Sequence, residues 1–91
     1  MKIDFDHEKS RKNTQDRDLS FDQAVDFDWE TAIYSEDVRQ LYPERRFVAI
    51  GYLRERLHVL CFTPIEQGVR VISFRKANFR EVKRYEKETT N

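Results

Sequence analysis

Three apolar stretches follow one another in the second half of the chain, at residues 46–53, 57–64 and 69–74. They are rich in Val, Ile, Leu, Phe and Tyr, a composition that favours β-strands. Short polar links separate them, Arg54-Glu55-Arg56 after the first and Glu66-Gln67-Gly68 after the second. Links of this length typically form hairpin turns. The pattern therefore predicts a three-stranded antiparallel meander.

Alternation within the third stretch predicts which of its side chains share a face of the sheet. Successive side chains of a strand point to opposite faces. The two predicted sets are Arg70, Ile72 and Phe74 on one face and Val69, Val71, Ser73 and Arg75 on the other. We therefore expect Arg70 and Arg75 on opposite faces.

The first half of the chain predicts a short strand and two helices. Ile3 and Phe5 alternate with charged residues, as in an edge strand, and the polar stretch 7–13 fits one or two helical turns. Ser20 and Gln23 have the spacing of a capping box, which predicts that a second helix begins there. The inward stripe of that helix is predicted to comprise Phe21, Ala24, Val25 and Trp29.

A short strand, a loop and a closing helix are predicted in the remaining segments. Residues 32–34 favour extended structure, and residues 35–45 form a charged loop. Asn78 is a favoured N-cap residue with Glu81 three positions on. The buried side of this helix is predicted to comprise Phe79, Val82 and Tyr85. Together the elements predict an α+β fold, in which an antiparallel sheet of about four strands carries two N-terminal helices and a C-terminal helix.

Length and composition indicate one compact domain, residues 1–91. Hydrophobic residues make up 38% of the chain and charged residues 37%, so the core must depend on aromatic side chains. The single cysteine, Cys61, excludes an internal disulfide. No stretch approaches the roughly 18 apolar residues that cross a bilayer, and the N-terminus lacks the apolar segment of a signal peptide. We therefore expect a cytoplasmic protein.

Opposite charges divide the chain although its net charge is zero. Residues 1–44 hold twelve Asp and Glu against six Lys and Arg, whereas residues 45–91 hold eleven Lys and Arg against five Asp and Glu. The halves either neutralise one another across the fold, or the basic half presents a face to a polyanion such as RNA. The charge pattern alone leaves both interpretations open.

The sequence motifs of metal-dependent, nucleotide-dependent and acyl-transfer enzymes are missing from the chain. RNA cleavage needs none of them, because a base, an acid and cations near the developing charge at phosphorus suffice. The cationic candidates lie in the basic half: Arg45, Arg46, Arg70, Arg75, Lys76 and Arg80. Glu44 and Glu81 are the nearby carboxylates, although Glu81 also suits a capping role. His58 is interpreted as an ordinary strand residue.

Several segments resemble the BrnT family of bacterial toxins. Residues 72–85 resemble the Ile-Ser-x-Arg-x-Ala-x-x-x-Glu-x-x-x-Tyr signature that closes these proteins. Three further segments resemble family motifs: 44–51 with Glu44-Arg45 and Gly51, 20–24 with Ser20-Phe21 and Ala24, and 6–13 with Asp6, Lys9 and Asn13. The resemblance covers nearly the whole chain.

The resemblance implies a type II toxin that cleaves RNA without a cofactor, blocks translation and so arrests growth. It also implies a fold similar to that of RelE-type ribonucleases. The implied partner is a BrnA-like antitoxin with a ribbon-helix-helix DNA-binding domain. The toxin would reach operator DNA only through that antitoxin.

One segment departs from the family pattern. Where the family usually carries Lys-His-Gly, this chain has Asp16-Arg17-Asp18. Arg17 can hold a phosphate, but it cannot exchange a proton near neutral pH. A proton-transfer role of the lost Lys or His would have to pass to another residue.

The leading hypothesis from the sequence is a metal-independent ribonuclease. In it Arg45, Arg70 and Arg75 stabilise the scissile phosphate, with Glu44 or Glu81 as the base. Further RNA contacts are predicted for Lys9, Arg17, Arg46, Ser73, Lys76 and Arg80. The alternative, favoured by residues 16–18, is a catalytically inactive homologue that serves as the protein-binding subunit of an autoregulating toxin-antitoxin complex. A third hypothesis, a small RNA-binding domain without an antitoxin, fits the charge pattern but not the family signature.

Overall fold

The computed structural model describes residues 1–90. These residues form one five-stranded sheet with helices on both of its faces. The strands are β1 (Lys2–Phe5), β2 (Ile33–Glu36), β3 (Phe47–Leu53), β4 (Arg56–Ile65) and β5 (Gly68–Lys76). Two α-helices, α1 (His7–Arg17) and α2 (Phe79–Thr89), and a 3₁₀ helix (Phe21–Asp26) complete the fold. The strand order is β1-β5-β4-β3-β2. The predicted α+β class is confirmed, and no helix within residues 1–90 is long and apolar enough to cross a membrane.

The predicted meander is confirmed as β3, β4 and β5, which pair in antiparallel fashion. Leu53 pairs with Arg56 across the first turn, so that turn has two residues. Arg54 in this turn and Gln67 in the second turn have φ angles of 57° and 67°. These left-handed residues allow the chain to reverse within two positions.

The first strand corrects the predicted topology. β1 pairs with β5 in parallel, with Lys2 opposite Gly68. The sheet is therefore mixed and has five strands, and the prediction of a wholly antiparallel sheet of about four strands is wrong. Alternation in a sequence identifies a strand, but it does not identify the partner or the direction of pairing.

Helix α1 is longer than the one or two turns predicted and continues along the edge of the sheet beyond β1. Its N-cap is Asp6, whose side chain accepts from the backbone N–H groups of Glu8 and Lys9. Asn13 Nδ2 donates to the carbonyl of Phe74 at 2.9 Å, a group on the part of β5 that β1 does not reach. The helix thus provides a hydrogen-bond donor for a carbonyl group at the edge of β5 that β1 leaves unpaired.

The second predicted N-terminal helix is a 3₁₀ helix of six residues rather than an α-helix. The predicted capping box is wrong, because the Ser20 side chain makes no capping hydrogen bond and instead contacts the carboxylate of Asp22. Phe21 and Ala24 are buried as predicted, but Val25 is 60% exposed. A 3₁₀ helix has three residues per turn, so a stripe spaced for an α-helix does not stay on one face.

Two apolar clusters lie on the two faces of the sheet. The larger one packs the 3₁₀ helix and Leu19 against alternate residues of the meander, among them Ala49, Leu53, Leu60, Phe62, Val69, Val71 and Phe74. The smaller one contains Ile50, Leu57, Val59, Ala77 and Tyr85, the last of these on α2. The sheet therefore lies between the 3₁₀ helix and α2.

A β-bulge in β5 changes which of its residues share a face. The register of β4 and β5 shifts between Cys61 and Phe62. Cys61 pairs with Ser73 and Phe62 pairs with Val71, so Ile72 has no partner residue. An unpaired residue of this kind reverses the alternation that follows it.

The predicted face assignment along β5 is therefore wrong. Phe74 joins Val71 in the larger cluster although the two positions differ by three. Arg70 and Arg75 consequently lie on the same face of the sheet, the one that carries α2. They are five residues apart, which corresponds to about 15 Å along a strand.

Helix α2 begins as predicted and packs through fewer residues than predicted. Asn78 and Glu81 form a complete capping box. Tyr85 is buried, and its hydroxyl donates to the carbonyl of Thr31 at 3.1 Å. Phe79 was expected on the buried side, but it is 75% exposed because it lies in the first turn, beyond the edge of the apolar cluster.

Candidate functional site

The largest cleft described in the protein, about 900 Å³, lies where α1 ends, where β3 turns into β4 and where β5 ends. Its lining residues are Arg17, Asp18, Leu19, Gln23, Leu53, Arg54, Glu55, Arg56, His58, Arg75 and Lys76. Leu19 and Leu53 belong to the apolar core and provide a rigid floor. Most of the polar residues come from the ends of α1 and β5 and from the β3–β4 turn, and their side chains surround this floor.

Positive charge predominates in this cleft. Five cationic side chains and two carboxylates, Asp18 and Glu55, line it. Arg17, Arg56 and Lys76 have no carboxylate within 4.0 Å among residues 1–90. Since their charges are not neutralised by a close partner, an anion entering the cleft can pair with them.

Two of the unpaired cations are nonetheless held in position by neutral groups. Arg17 donates through Nε to Asn13 Oδ1 at 3.1 Å, and Asn13 itself is fixed to the carbonyl of Phe74. Arg56 donates through Nη2 to the carbonyl of Ala77 at 3.4 Å. These bonds orient the guanidinium groups without neutralising their charges.

Arg75 and Glu81 form a two-pronged ion pair at the edge of the cleft. Arg75 Nη1 and Nη2 donate to the two oxygens of Glu81, each at 2.9 Å. One of those oxygens also accepts from the backbone N–H of Asn78. The Arg75 hydrogen bonds, with smaller help from that capping bond, hold the pKa of Glu81 below its ordinary value. Glu81 is thus a stable carboxylate with a structural partner on each oxygen.

Arg70 lies in a second, smaller cleft rather than in the main one. Its Nε donates to Asp4 at 2.9 Å, and its Nη1 donates to Glu44 at 3.1 Å. Lys9 and Arg46 line the same cleft, whose volume is about 240 Å³. Arg70 and Glu44, which the sequence suggested as a phosphate-binding cation and a candidate base, are therefore in contact as an ion pair.

Arg45 lies near the opposite edge of the sheet. Its Nε and Nη2 donate to the two carboxylate oxygens of Glu36 in β2, at 3.0 and 2.9 Å. Its guanidinium lies 5.1 Å from the centre of the Phe47 ring. The structure consequently does not bring Arg45, Arg70 and Arg75 into one pocket, and each of the three is already paired with a carboxylate.

The other residues predicted to contact RNA divide between the clefts. Arg17 and Lys76 line the main cleft, and Arg17 also borders a groove of about 320 Å³ together with Lys9 and Ser73. Arg46 lies over the ring of Tyr42 at 4.1 Å. Arg80 is exposed in the first turn of α2.

Sequence reasoning missed Arg54, Arg56 and His58 as residues of the main cleft. Arg54 and Arg56 were assigned only to a polar turn, and His58 to an ordinary strand position. Their chain neighbours give no sign of a site, because the cleft forms only when the β3–β4 turn meets the ends of α1 and β5. The one available signal was the occurrence of Arg54, Arg56 and His58 at alternate positions.

The segment that departs from the family pattern ends α1 at this cleft. Asp16 lies 3.6 Å from Lys12 across one helical turn. Asp18 is the C-cap residue, with a left-handed φ of 55°. Arg17 lies between them and lines the cleft, so the segment supplies a fixed cation to it.

Comparison with known proteins gives one family. The model of the family described as "Ribonuclease toxin, BrnT, of type II toxin-antitoxin system" matches residues 5–81 of this chain. A search of curated proteins found no match. Within residues 1–90, no group of three or more His, Cys, Asp or Glu side chains is arranged to hold a metal ion.

Proposed function

The chain belongs to the BrnT family of type II toxin-antitoxin ribonuclease toxins, and from this membership we propose that it cleaves RNA in the main cleft. The observation that carries the proposal is the unpaired state of Arg17, Arg56 and Lys76 around that cleft. Three cations without close carboxylates suit a phosphodiester with its neighbouring phosphates. The paired arginines, Arg45 and Arg70, would first have to release their own carboxylates.

In this proposal Arg75 has mainly a structural role, whereas the sequence suggested that it stabilises the scissile phosphate. Its bidentate bond with Glu81 joins the end of β5 to the start of α2. The Arg75 side chain is 39% exposed, so its guanidinium can still approach a phosphate. Glu81 is a poor base, because its pKa is held low and both of its oxygens are engaged.

We infer that cleavage proceeds without a metal ion or other cofactor. Attack by the ribose 2′-hydroxyl needs a base and stabilisation of the charge on the phosphorus oxygens, and Arg and Lys side chains can supply the latter. Cleavage by the purified protein is expected to continue in excess EDTA. Activity that disappears with EDTA and returns with a divalent cation would contradict this part of the proposal.

The partner implied by a type II system is a protein antitoxin. We propose a BrnA-like antitoxin whose ribbon-helix-helix domain binds the operator, so that this chain contacts operator DNA only through it. The expected consequence of free toxin is blocked translation in the cytoplasm. Repression by the antitoxin with and without this chain, measured at the operator, tests the division of roles.

Induction of the gene alone in bacteria tests the proposed cleft. Wild-type protein is expected to arrest growth and lower bulk translation, whereas Lys76→Ala is expected to weaken both because it removes an unpaired cation from the cleft. Lys87→Ala is the matched control, since it removes an exposed lysine from the last turn of α2. Comparable loss in both variants, or arrest that depends on Arg45 or Arg70 but not on Lys76, would place the site elsewhere.

The catalytically inactive homologue is a second candidate, favoured by Asp16-Arg17-Asp18 at the cleft. This candidate predicts normal growth from well-expressed wild-type protein together with tight binding to the antitoxin. The ribonuclease proposal predicts growth arrest that the antitoxin relieves. The same induction experiment therefore separates the two.

A further inference from the structure

His58 occupies the inner wall of the main cleft. It lies on β4 opposite Lys76 of β5, and its ring packs at 62° against the ring of Phe74, with 5.6 Å between the centroids. The residue is 5% exposed. The ring is therefore fixed by the core on one side and borders the cleft on the other.

The tautomer of His58 follows from one hydrogen bond. Nδ1 lies 2.8 Å from the carbonyl oxygen of Arg56. A carbonyl oxygen only accepts, so Nδ1 must carry the proton that is donated. In the neutral ring the lone pair is then on Nε2.

Nε2 is also the part of the ring that meets solvent. The hydrogen bonds of residues 1–90 include none at this nitrogen. In the same residues, every fully buried side-chain nitrogen or oxygen has a hydrogen-bond partner. Nε2 of His58 has no such partner, so this nitrogen is not fully buried. His58 lines the main cleft, so that cleft is the space from which a ligand can reach this nitrogen.

The surroundings of His58 favour the neutral ring at pH 7. Burial is the largest cause that lowers its pKa below the ordinary 6.5, and the nearby charges of Arg56, Lys76 and Arg54 lower it further. The bond to the Arg56 carbonyl acts in the opposite direction. The charged groups that share the cleft are Arg17 and Asp18 at the end of α1, Arg54, Glu55 and Arg56 at the turn, and Arg75 and Lys76 on β5.

We propose that Nε2 of His58 is the general base of RNA cleavage in this cleft, an inference that rests on the proposed function. Nε2 takes the proton of a ribose 2′-hydroxyl, and the 2′-oxygen attacks the adjacent phosphorus as the bond from phosphorus to the 5′-oxygen breaks. The leaving 5′-oxygen takes a proton from water, and the imidazolium later returns its own proton to water. The products are a 2′,3′-cyclic phosphate and a 5′-hydroxyl.

The position of His58 answers the question raised by residues 16–18. Those residues supply Arg17 as a cation and Asp18 as a carboxylate but no imidazole. His58 supplies the acceptor from β4, on the sheet that forms the wall of the same cleft. Base and cations thus come from different elements and meet only in the folded chain.

Two matched variants of the full chain test the proposal. His58→Asn places an amide N–H near the position of Nδ1, so it keeps a donor for the Arg56 carbonyl while it removes Nε2. His7→Asn changes the other histidine, which lies at the start of α1 against Phe5 and outside the main cleft. Cleavage of a single-stranded RNA and binding of the same sequence as DNA, which lacks the attacking hydroxyl, are measured for each.

Loss of the base is expected to lower the cleavage rate by roughly 10²–10⁴-fold in His58→Asn, with DNA binding unchanged. His7→Asn is expected to cleave at the wild-type rate. The wild-type rate should decline about tenfold per pH unit below a midpoint under 6.5, because protonation at Nε2 removes the lone pair. The product should carry a 2′,3′-cyclic phosphate.

Folded His58→Asn protein that cleaves within about threefold of wild type would overturn the role of His58 and leave the ribonuclease proposal intact. If this variant does not fold, as judged by circular dichroism, the wild-type pH profile decides, and a rate that does not fall at any pH below 6.5 at which the protein stays folded overturns the proposal. Wild-type protein that binds RNA but never cleaves it overturns the proposed function and the base together.

Discussion

At the scale of single residues, three positions within residues 1–90 adopt left-handed backbone angles, and none of them is glycine. They are Asp18, Arg54 and Gln67. Left-handed conformations cost non-glycine residues about 1 kcal/mol, although Asp tolerates them better than most. Asp18 occupies the position at which the BrnT family usually carries Gly. The left-handed C-cap geometry of this position gives a physical reason for that glycine.

Replacement of Asp18 by glycine is expected to raise the free energy of unfolding by about 0.5–1 kcal/mol, because glycine adopts the C-cap conformation without strain. Chemical denaturation measures the change. Asp18→Asn is the control, since it removes the same charge from the cleft but keeps a Cβ atom. An equal gain in both variants would show that the removed charge, rather than the backbone angle, was responsible.

At the scale of elements, β1 and α1 divide one edge of β5 between them. β1 pairs with the first residues of β5, and Asn13 of α1 bonds to a carbonyl farther along. The parallel approach of β1 is very close, because a Cβ atom at Gly68 would lie 1.9 Å from the carbonyl oxygen of Lys2. Gly68 is therefore required by a neighbouring backbone, and the left-handed residue of that turn is Gln67 instead.

Replacement of Gly68 by alanine is expected to displace β1 and to lower the free energy of unfolding by more than about 2 kcal/mol, since backbone cannot move away as a flexible side chain can. Ser73→Ala, at an exposed position of the same strand, is the control and is expected to change it by less than about 0.5 kcal/mol. Hydrogen exchange of the β1 amides should accelerate in the first variant alone. Unchanged β1 protection in Gly68→Ala would contradict the close approach.

At the scale of the whole molecule, some charges of the two oppositely charged halves are paired across the fold and others are not. Part of the charge is neutralised across the fold, as Arg70 is by Asp4 and Glu44. Two cations of the basic half, Arg56 and Lys76, instead line the main cleft without a close carboxylate among residues 1–90, together with Arg17 of the acidic half. Neutralisation across the fold therefore holds for Arg70, and a basic face presented to RNA stays a prediction.

Binding of single-stranded RNA is expected to weaken as the salt concentration rises. The logarithm of the binding constant should fall against the logarithm of the salt concentration with a slope of about −2 if the three unpaired cations each contact one phosphate. Arg17→Ala is expected to reduce that slope by about 0.7, because one contact is lost. The slope is measured by titration at several salt concentrations, with Lys87→Ala as the control. A slope that is equal in both variants would exclude Arg17 from the binding surface.

The sequence by itself determined those features that depend on neighbours along the chain. It predicted the meander from composition and short polar links, the start of α2 from Asn78 and Glu81, and the family from motifs spread over most of the chain. Each of these is encoded by residues a few positions apart, whose local conformational preferences agree with the final fold.

The tertiary structure alone decided which residues share a site. A single unpaired residue, Ile72, placed Arg70 and Arg75 on one face. Carboxylates from distant segments, Asp4 and Glu44, neutralised Arg70. His58 lines a cleft only because β4 meets the ends of α1 and β5 in the folded chain. Pairing, bulges and ion pairs depend on contacts between segments far apart in the chain, and a local pattern carries no record of them.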